Sequence, residues 1–241
     1  MSHEVILLFL GGLAVFVGAI VQGGVGFGLG LVAAPIITVL DPTVMPGAIQ
    51  IVNVTLPLFT LATEWRGVDW RGLGFALLGR LPGSAIGAVI VVYVSTQTLG
   101  IFVGAMVLVA VAVTVSAVAI PRNGATLTAA GFVSGITGTA TGIGGPPMGI
   151  VYQHASGPRI RATLAMYFFL SAAQSLAILA SVGRLPGRSA LAGAALIPFM
   201  VAGFAVSGPL RRFLDGGRVR AGILLVAAAS AFVLITQSLA G

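Results

Sequence analysis

The sequence predicts an all-α polytopic membrane protein of two inverted repeats, each opening with a glycine-broken helical hairpin, with eight to ten membrane elements. Three observations predict it. The 241-residue chain is 58% hydrophobic and only 7% charged, with a mean hydropathy of +1.12. A soluble domain carries about 25% charged residues, so this chain could not solvate its own surface in water. Long apolar runs such as residues 101–120 are continuous. A membrane barrel alternates with a period of two, so such runs indicate helices, which satisfy their own backbone hydrogen bonds in lipid. Finally, one order of features recurs about 117 residues further along the chain.

The elements follow in order. The first apolar segment, residues 5–40, is interrupted around Gln22 to Gly30. The second covers about 44–63, the third 72–94 with Arg80 and Pro82 inside it, and the fourth 99–120. Pro121, Arg122, Asn123 and Gly124 form a linker. The fifth segment, 125–152, is interrupted around Thr137 to Pro147; the sixth, seventh and eighth cover 162–182, 190–210 and 219–239. A crossing helix needs about 20 apolar residues, so six segments fit one crossing each, while the first and fifth are too long for one. Gly24-Val25-Gly26-Phe27 matches Gly142-Ile143-Gly144-Gly145 in register, Pro82 to Gly87 matches Pro198 to Gly203, and Arg71 matches Arg188. The predicted organisation is a first repeat over 1–120, the linker 121–124, and a second repeat over 125–241 within one membrane domain.

The net charge of +7 contains no lysine contribution, because the chain has none. The arginines lie singly or in pairs between apolar runs, which indicates topology and not nucleic acid. If each broken segment crosses once, the loop arginines divide five to six between the two sides. If each break folds back as a hairpin and the N-terminus is outside, Arg66, Arg71, Arg122, Arg159, Arg161, Arg211, Arg212, Arg218 and Arg220 fall inside. Only Arg184 and Arg188 then fall outside. The positive-inside rule selects the hairpins, and an odd number of elements per half inverts one half against the other. The short second arms, about 29–40 and 147–157, leave open whether they cross fully.

Chemistry is expected at the breaks. Glycine lets the backbone leave helical geometry, and Pro146 and Pro147 suit the first turn of a new half-helix. Two half-helix N-termini facing one cavity would bind an anion through free N–H groups. Candidate substrate contacts are Gln22, Gly24, Gly26 and Gly28 in the first break and Thr139, Thr141, Gly142, Gly144 and Gly145 in the second. The alternative is that these glycines only allow close helix packing. Asn53 and Gln174 are mid-helix polar residues that either contact substrate or join helices. Arg80, a third of the way into its segment, would supply a fixed positive charge to an oxyanion, unless its helix starts at Leu81 and it snorkels to an interface. His154 is the candidate for proton coupling, against an interfacial role. Trp65, Trp70 and Tyr93 flank segments as interfacial anchors.

The five acidic residues, Glu4, Asp41, Glu64, Asp69 and Asp215, stand at segment ends, which favours an anionic over a cationic substrate. Two histidines, no cysteine and peripheral carboxylates build no metal site or acid–base pair, so no enzyme and no cofactor is expected. The expected partners are a small anion and the lipid bilayer, not nucleic acid; a homo-oligomer is compatible with the sequence.

Gln22-Gly23-Gly24-Val25-Gly26-Phe27-Gly28 with the following Pro35, Leu81-Pro82-Gly83-Ser84 with Gly87, and Gly142-Ile143-Gly144-Gly145-Pro146-Pro147 resemble the signatures of the sulfite exporter TauE/SafE family, also called the 4-toluene sulfonate uptake permease family. The resemblance covers essentially the whole chain; Phe27 stands where many members have another glycine. It implies a permease for sulfur-containing anions such as sulfite or organosulfonates in the bacterial inner membrane. Alternating access is the expected mechanism, with an anion channel, a membrane assembly protein and a different inverted-repeat transporter as the competing expectations.

Overall fold

The computed structural model describes residues 3–115, 120–214 and 217–240, all helix and connecting turns. Helix α1 (His3–Ile6) runs through a π-helical turn at Leu7–Gly11 into α2 (Gly12–Val25), and α3 (Leu29–Leu40) follows the first break. Then come α4 (Gly47–Glu64), α5 (Trp70–Tyr93) and α6 (Thr96–Val115). After the linker come α7 (Gly124–Thr141), the short α8 (Gly145–Tyr152), α9 (Gly157–Ser181), α10 (Gly187–Leu214) and α11 (Gly217–Ala240). Among the described residues, four stretches are long and apolar enough to cross a membrane: Glu4–Val25, Trp70–Tyr93, Gly157–Ser181 and Gly187–Pro209. Asp215, and the side chains of Arg211, Arg212, Arg218 and Arg220, lie outside the described parts.

Both broken segments reverse direction. A Cβ on Gly18 would lie 3.0 Å from the Leu29 Cα, although a straight helix would separate these residues by about 16 Å. In the second break the Ser134 hydroxyl donates to the Gly144 carbonyl at 2.6 Å. The chain ends gathered by this folding agree. Arg122 and Arg159 approach the Asp69 carboxylate at 3.8 and 3.6 Å, and Arg161 grips Glu64 at 3.0 Å. These pairs put the turn before α5, the linker before α7 and the start of α9 at one end. At the other end Arg188 meets Asp41 at 2.9 Å and Arg184 donates to the Val92 carbonyl. Single straight crossings would place Arg159 and Asp69 on opposite sides, so the pairs require the hairpin arrangement.

The main helix pairings correspond under exchange of α2–α6 for α7–α11. Helix α5 packs along α7 as α10 packs along α2; α4 meets α9, and α6 meets α11. Glycines set the closest approaches. A Cβ on Gly131 would run into the Ala76 backbone, and one on Gly83 into the Phe132 carbonyl. On the other side a Cβ on Gly203 would strike the Phe16 carbonyl. Small residues of this kind let membrane helices meet backbone to backbone. Among the described residues the apolar interior forms one cluster around α2, α3, α4, α6, α10 and α11, another around α5, α7, α8 and α9, and a small third one of Val91, Ala140 and Leu179. Phe27, from the first break, packs against the first two. It lies over Gly149, where a Cβ would come within 2.7 Å of its ring. Trp65, Trp70 and Tyr93 are exposed, as anchors at an interface would be.

Candidate functional site

The first break forms because α2 ends on Gly26 in the left-handed region (φ 99°), its N–H bonded to the Gln22 carbonyl. Gly28 (φ 134°) then starts α3 in a conformation side-chain-bearing residues rarely adopt. The Gln22 side chain closes the turn by accepting the Leu29 N–H at 3.2 Å. The second break begins later than expected. Thr137, Thr139 and Thr141 remain within α7, and only Gly142 (φ 77°) leaves the helix. The Thr137 and Thr141 hydroxyls donate to the carbonyls of Val133 and Thr137, one turn back, and so are spent on their own helix.

The two breaks touch. A Cβ on Gly30 would lie 2.6 Å from the Gly142 carbonyl oxygen, so glycine is required for this approach. Beside the contact lies a small cavity of about 30 Å³. Of the expected site residues, Gln22, Gly28, Asn53, Arg80, Gly142, Gly144 and Gly145 line it. Gly24, Gly26, Thr139, Thr141 and Gln174 do not. His154 is exposed in the turn between α8 and α9, also away from the cavity.

Arg80 is buried in the middle of α5, at 2% exposure. The helix is continuous through it, so it does not snorkel from a helix start at Leu81. Its Nη1 donates to the Ser134 carbonyl at 2.9 Å. Its Nη2 donates to the Ser171 carbonyl at 3.0 Å and to the Ser175 hydroxyl at 2.8 Å. The Tyr167 ring lies 5.7 Å from the guanidinium carbon. All these partners are neutral, and the four described carboxylates sit at chain turns or segment ends. A buried charge without a counter-charge is costly, which makes Arg80 a candidate functional residue. Two groups of cavity-lining residues also have no hydrogen-bond partner: Arg80 Nε and the Ser171 hydroxyl.

Helix α4 braces the second break from the opposite side. Gln50 Nε2 donates to the Gly138 carbonyl at 2.6 Å and Asn53 Nδ2 to the Gly142 carbonyl at 3.1 Å. These carbonyls end α7 and carry the negative end of its dipole, which the amides cap. Each amide keeps a second N–H. Thr139 acts one step removed, its hydroxyl 2.9 Å from that of Ser175. Sequence reasoning missed Gln50, Gly138, Phe168 and Ser171 as lining residues. A polar residue one turn before Asn53 was the available signal for Gln50, and the Ser171–Ser175 pair, one turn apart on α9, was the signal for Ser171.

Helix α8 supplies fewer donors than its N-terminus promises, since Pro146 and Pro147 occupy its first turn without N–H groups. The first turn of α3, with Gly30 and Leu31 in the cavity wall, is the better donor end. The site thus offers one fixed cation and several neutral donors, suited to holding a small oxyanion.

The family model for the sulfite exporter TauE/SafE matches residues 10–234. The chain belongs to the TauE/SafE family. It is therefore a membrane transporter of a family described by sulfite export. A relative at 25% identity, aligned over 221 residues and 83% of each chain, is the probable sulfite/organosulfonate exporter TauE of Cupriavidus necator. No solved structure matches this TauE/SafE chain.

Proposed function

We propose that this TauE/SafE protein is a secondary transporter of small sulfur-containing oxyanions, sulfite or organosulfonates, which bind at Arg80 between the two breaks. One observation carries the proposal. A buried guanidinium with an unfilled donor and a buried, unpartnered serine hydroxyl line the same cavity, where two half-helices meet. An anion there would pair the charge and fill both donors. The name of the Cupriavidus necator relative supports the substrate class.

The way the ends are tied supports alternating access. The Asp69 cluster at one end and the Arg188–Asp41 pair at the other each join α2–α6 to α7–α11. Breaking one set while keeping the other would open the cavity to one side. The exchange symmetry of helix partners and the two fold-back breaks support a first repeat over 1–120 and an inverted second over 125–241. The gathering of Arg66, Arg122, Arg159 and Arg161 toward one end supports placing that end in the cytoplasm of a bacterial inner membrane, with the N-terminus outside.

The test is binding and flux. Purified protein should be stabilised against heat by sulfite and methanesulfonate and not by acetate, and proteoliposomes should carry the same anions with saturation. Arg80→Gln should weaken both effects about 100-fold, and Ser171→Ala should weaken them about tenfold. Flux that survives Arg80→Gln in well-folded protein would sink the proposal.

A further inference from the structure

The charge inventory of the cavity bears on the form of the substrate. Of the described residues lining it, Arg80 alone is charged; the others are glycine, amide, serine or apolar side chains. The half-helix ends do not add a second positive charge. Each break puts a helix C-terminus beside a helix N-terminus: α2 beside α3, and α7 beside α8. Their end charges oppose each other within one turn. Pro146 and Pro147 further thin the positive end of α8.

We infer that the site takes its substrate as a monoanion: hydrogensulfite in preference to the sulfite dianion, singly charged sulfonates, and not sulfate. This rests on the transport proposal above and specifies its substrate. One guanidinium neutralises one negative charge. A second would enter a buried site with no counter-charge, against a desolvation penalty that grows steeply with ionic charge. Neutral donors soften that penalty without cancelling it. Hydrogensulfite and a sulfonate present the same head, a sulfur bearing oxygens with a single charge, so one site serves both. Sulfate matches them in size and fails on charge.

The groups around Arg80 leave the ligand as the source of any pH dependence. On α5 the nearest ionisable residues are Arg71 and Tyr93 near its ends, and α7 has none. From α9, Tyr167 faces the guanidinium, while Arg159 and Arg161 lie at the helix start with Asp69 and Glu64. Tyr152 of α8 is bound to Asp69, and α4 has only Glu64.

The decisive experiment measures equilibrium binding of sulfite, methanesulfonate and sulfate to the purified full chain across the pH range in which hydrogensulfite loses its proton. Methanesulfonate keeps one charge throughout and reports any titration of the protein. The expected result is affinity for total sulfite that falls in proportion to the hydrogensulfite fraction. Methanesulfonate affinity should stay flat, and sulfate should compete at least about tenfold more weakly. Sulfite affinity that is flat or rises with pH, sulfate that competes as well as methanesulfonate, or a parallel fall in methanesulfonate binding would each overturn the inference. The first two would leave the transport proposal standing. No binding of sulfite or methanesulfonate at any pH would bring down both.

Discussion

Two matching regions of the molecule have the same construction and different interiors. Helix α5 lies on α7 and helix α10 on α2, each brought to backbone contact by glycine. Midway along α5 stands Arg80, held by Ser134, Ser171 and Ser175. At the corresponding place in α10 stands Leu196, 2% exposed and packed in an apolar cluster with Val15, Ile37 and Met200. The scaffold is shared and the charge is not. Helix packing therefore does not require a buried cation here, and under the proposed function the single copy of Arg80 serves the anion.

The shared scaffold can be broken on either side with the largest effect. Gly131→Ala would push a methyl into the Ala76 backbone, and Gly203→Ala one into the Phe16 carbonyl. Neither neighbour can move without displacing its helix, so each should cost about 1–3 kcal/mol or more and most of the monodisperse protein on size exclusion. Gly74→Ala, on α5 but with nothing within 4 Å, should be neutral. Equal stability of the Gly131 and Gly74 variants would show that backbone contact is not what holds α5 to α7.

The difference between the regions is tested at their centres. Arg80→Gln should lower anion flux by about 100-fold, the loss expected when a charge-assisted hydrogen bond and its ion pair go together. Arg80→Lys should recover part of it, keeping the charge and losing the planar fork. Leu196→Ala should leave substrate affinity unchanged and cost stability, about 2–5 kcal/mol for a buried leucine. Flux lost equally from both variants with folding intact would refute the asymmetry.

Much of this was legible in the sequence. Hydropathy gave the membrane class, and Gly26, Gly28 and Gly142 marked the breaks because only glycine tolerates their φ angles. The arginine distribution selected the hairpins that the Asp69, Glu64 and Asp41 pairs require. Arg80 stood out because a charge within an apolar run is rare. The rest depended on helix rotation, which apolar helices do not encode by periodicity. Ser171 faces the cavity and Gln174, nearly one turn on, does not. The threonine run read as a set of donors, yet Thr137 and Thr141 bond to their own helix. His154 followed the second break in sequence and lies outside the cavity because α8 is only two turns long.

A smaller effect is expected from the brace across the site. Gln50→Leu keeps the size of the side chain and leaves the Gly138 carbonyl without its 2.6 Å donor. Losing one buried hydrogen bond at a helix end should reduce flux about tenfold, with most of the change in apparent affinity. A variant with wild-type affinity would show that the second break holds its shape without α4.

The smallest effect should come from Thr139, which touches the cation only through Ser175. Its hydroxyl lies 2.9 Å from the Ser175 hydroxyl, which accepts from Arg80 at 2.8 Å. Thr139→Val keeps the shape and removes that polar contact. Ser175 would still accept from the guanidinium, freed from one of its two restraints. A neutral hydrogen bond is worth about 0.5–1.5 kcal/mol, so flux should fall about threefold to tenfold. Thr139→Ser should restore it, since only the hydroxyl is at issue. Recovery by serine without recovery by valine would assign the effect to the orientation of Arg80 and not to packing. Equal behaviour of the two variants would place Thr139 with the scaffold that both halves share.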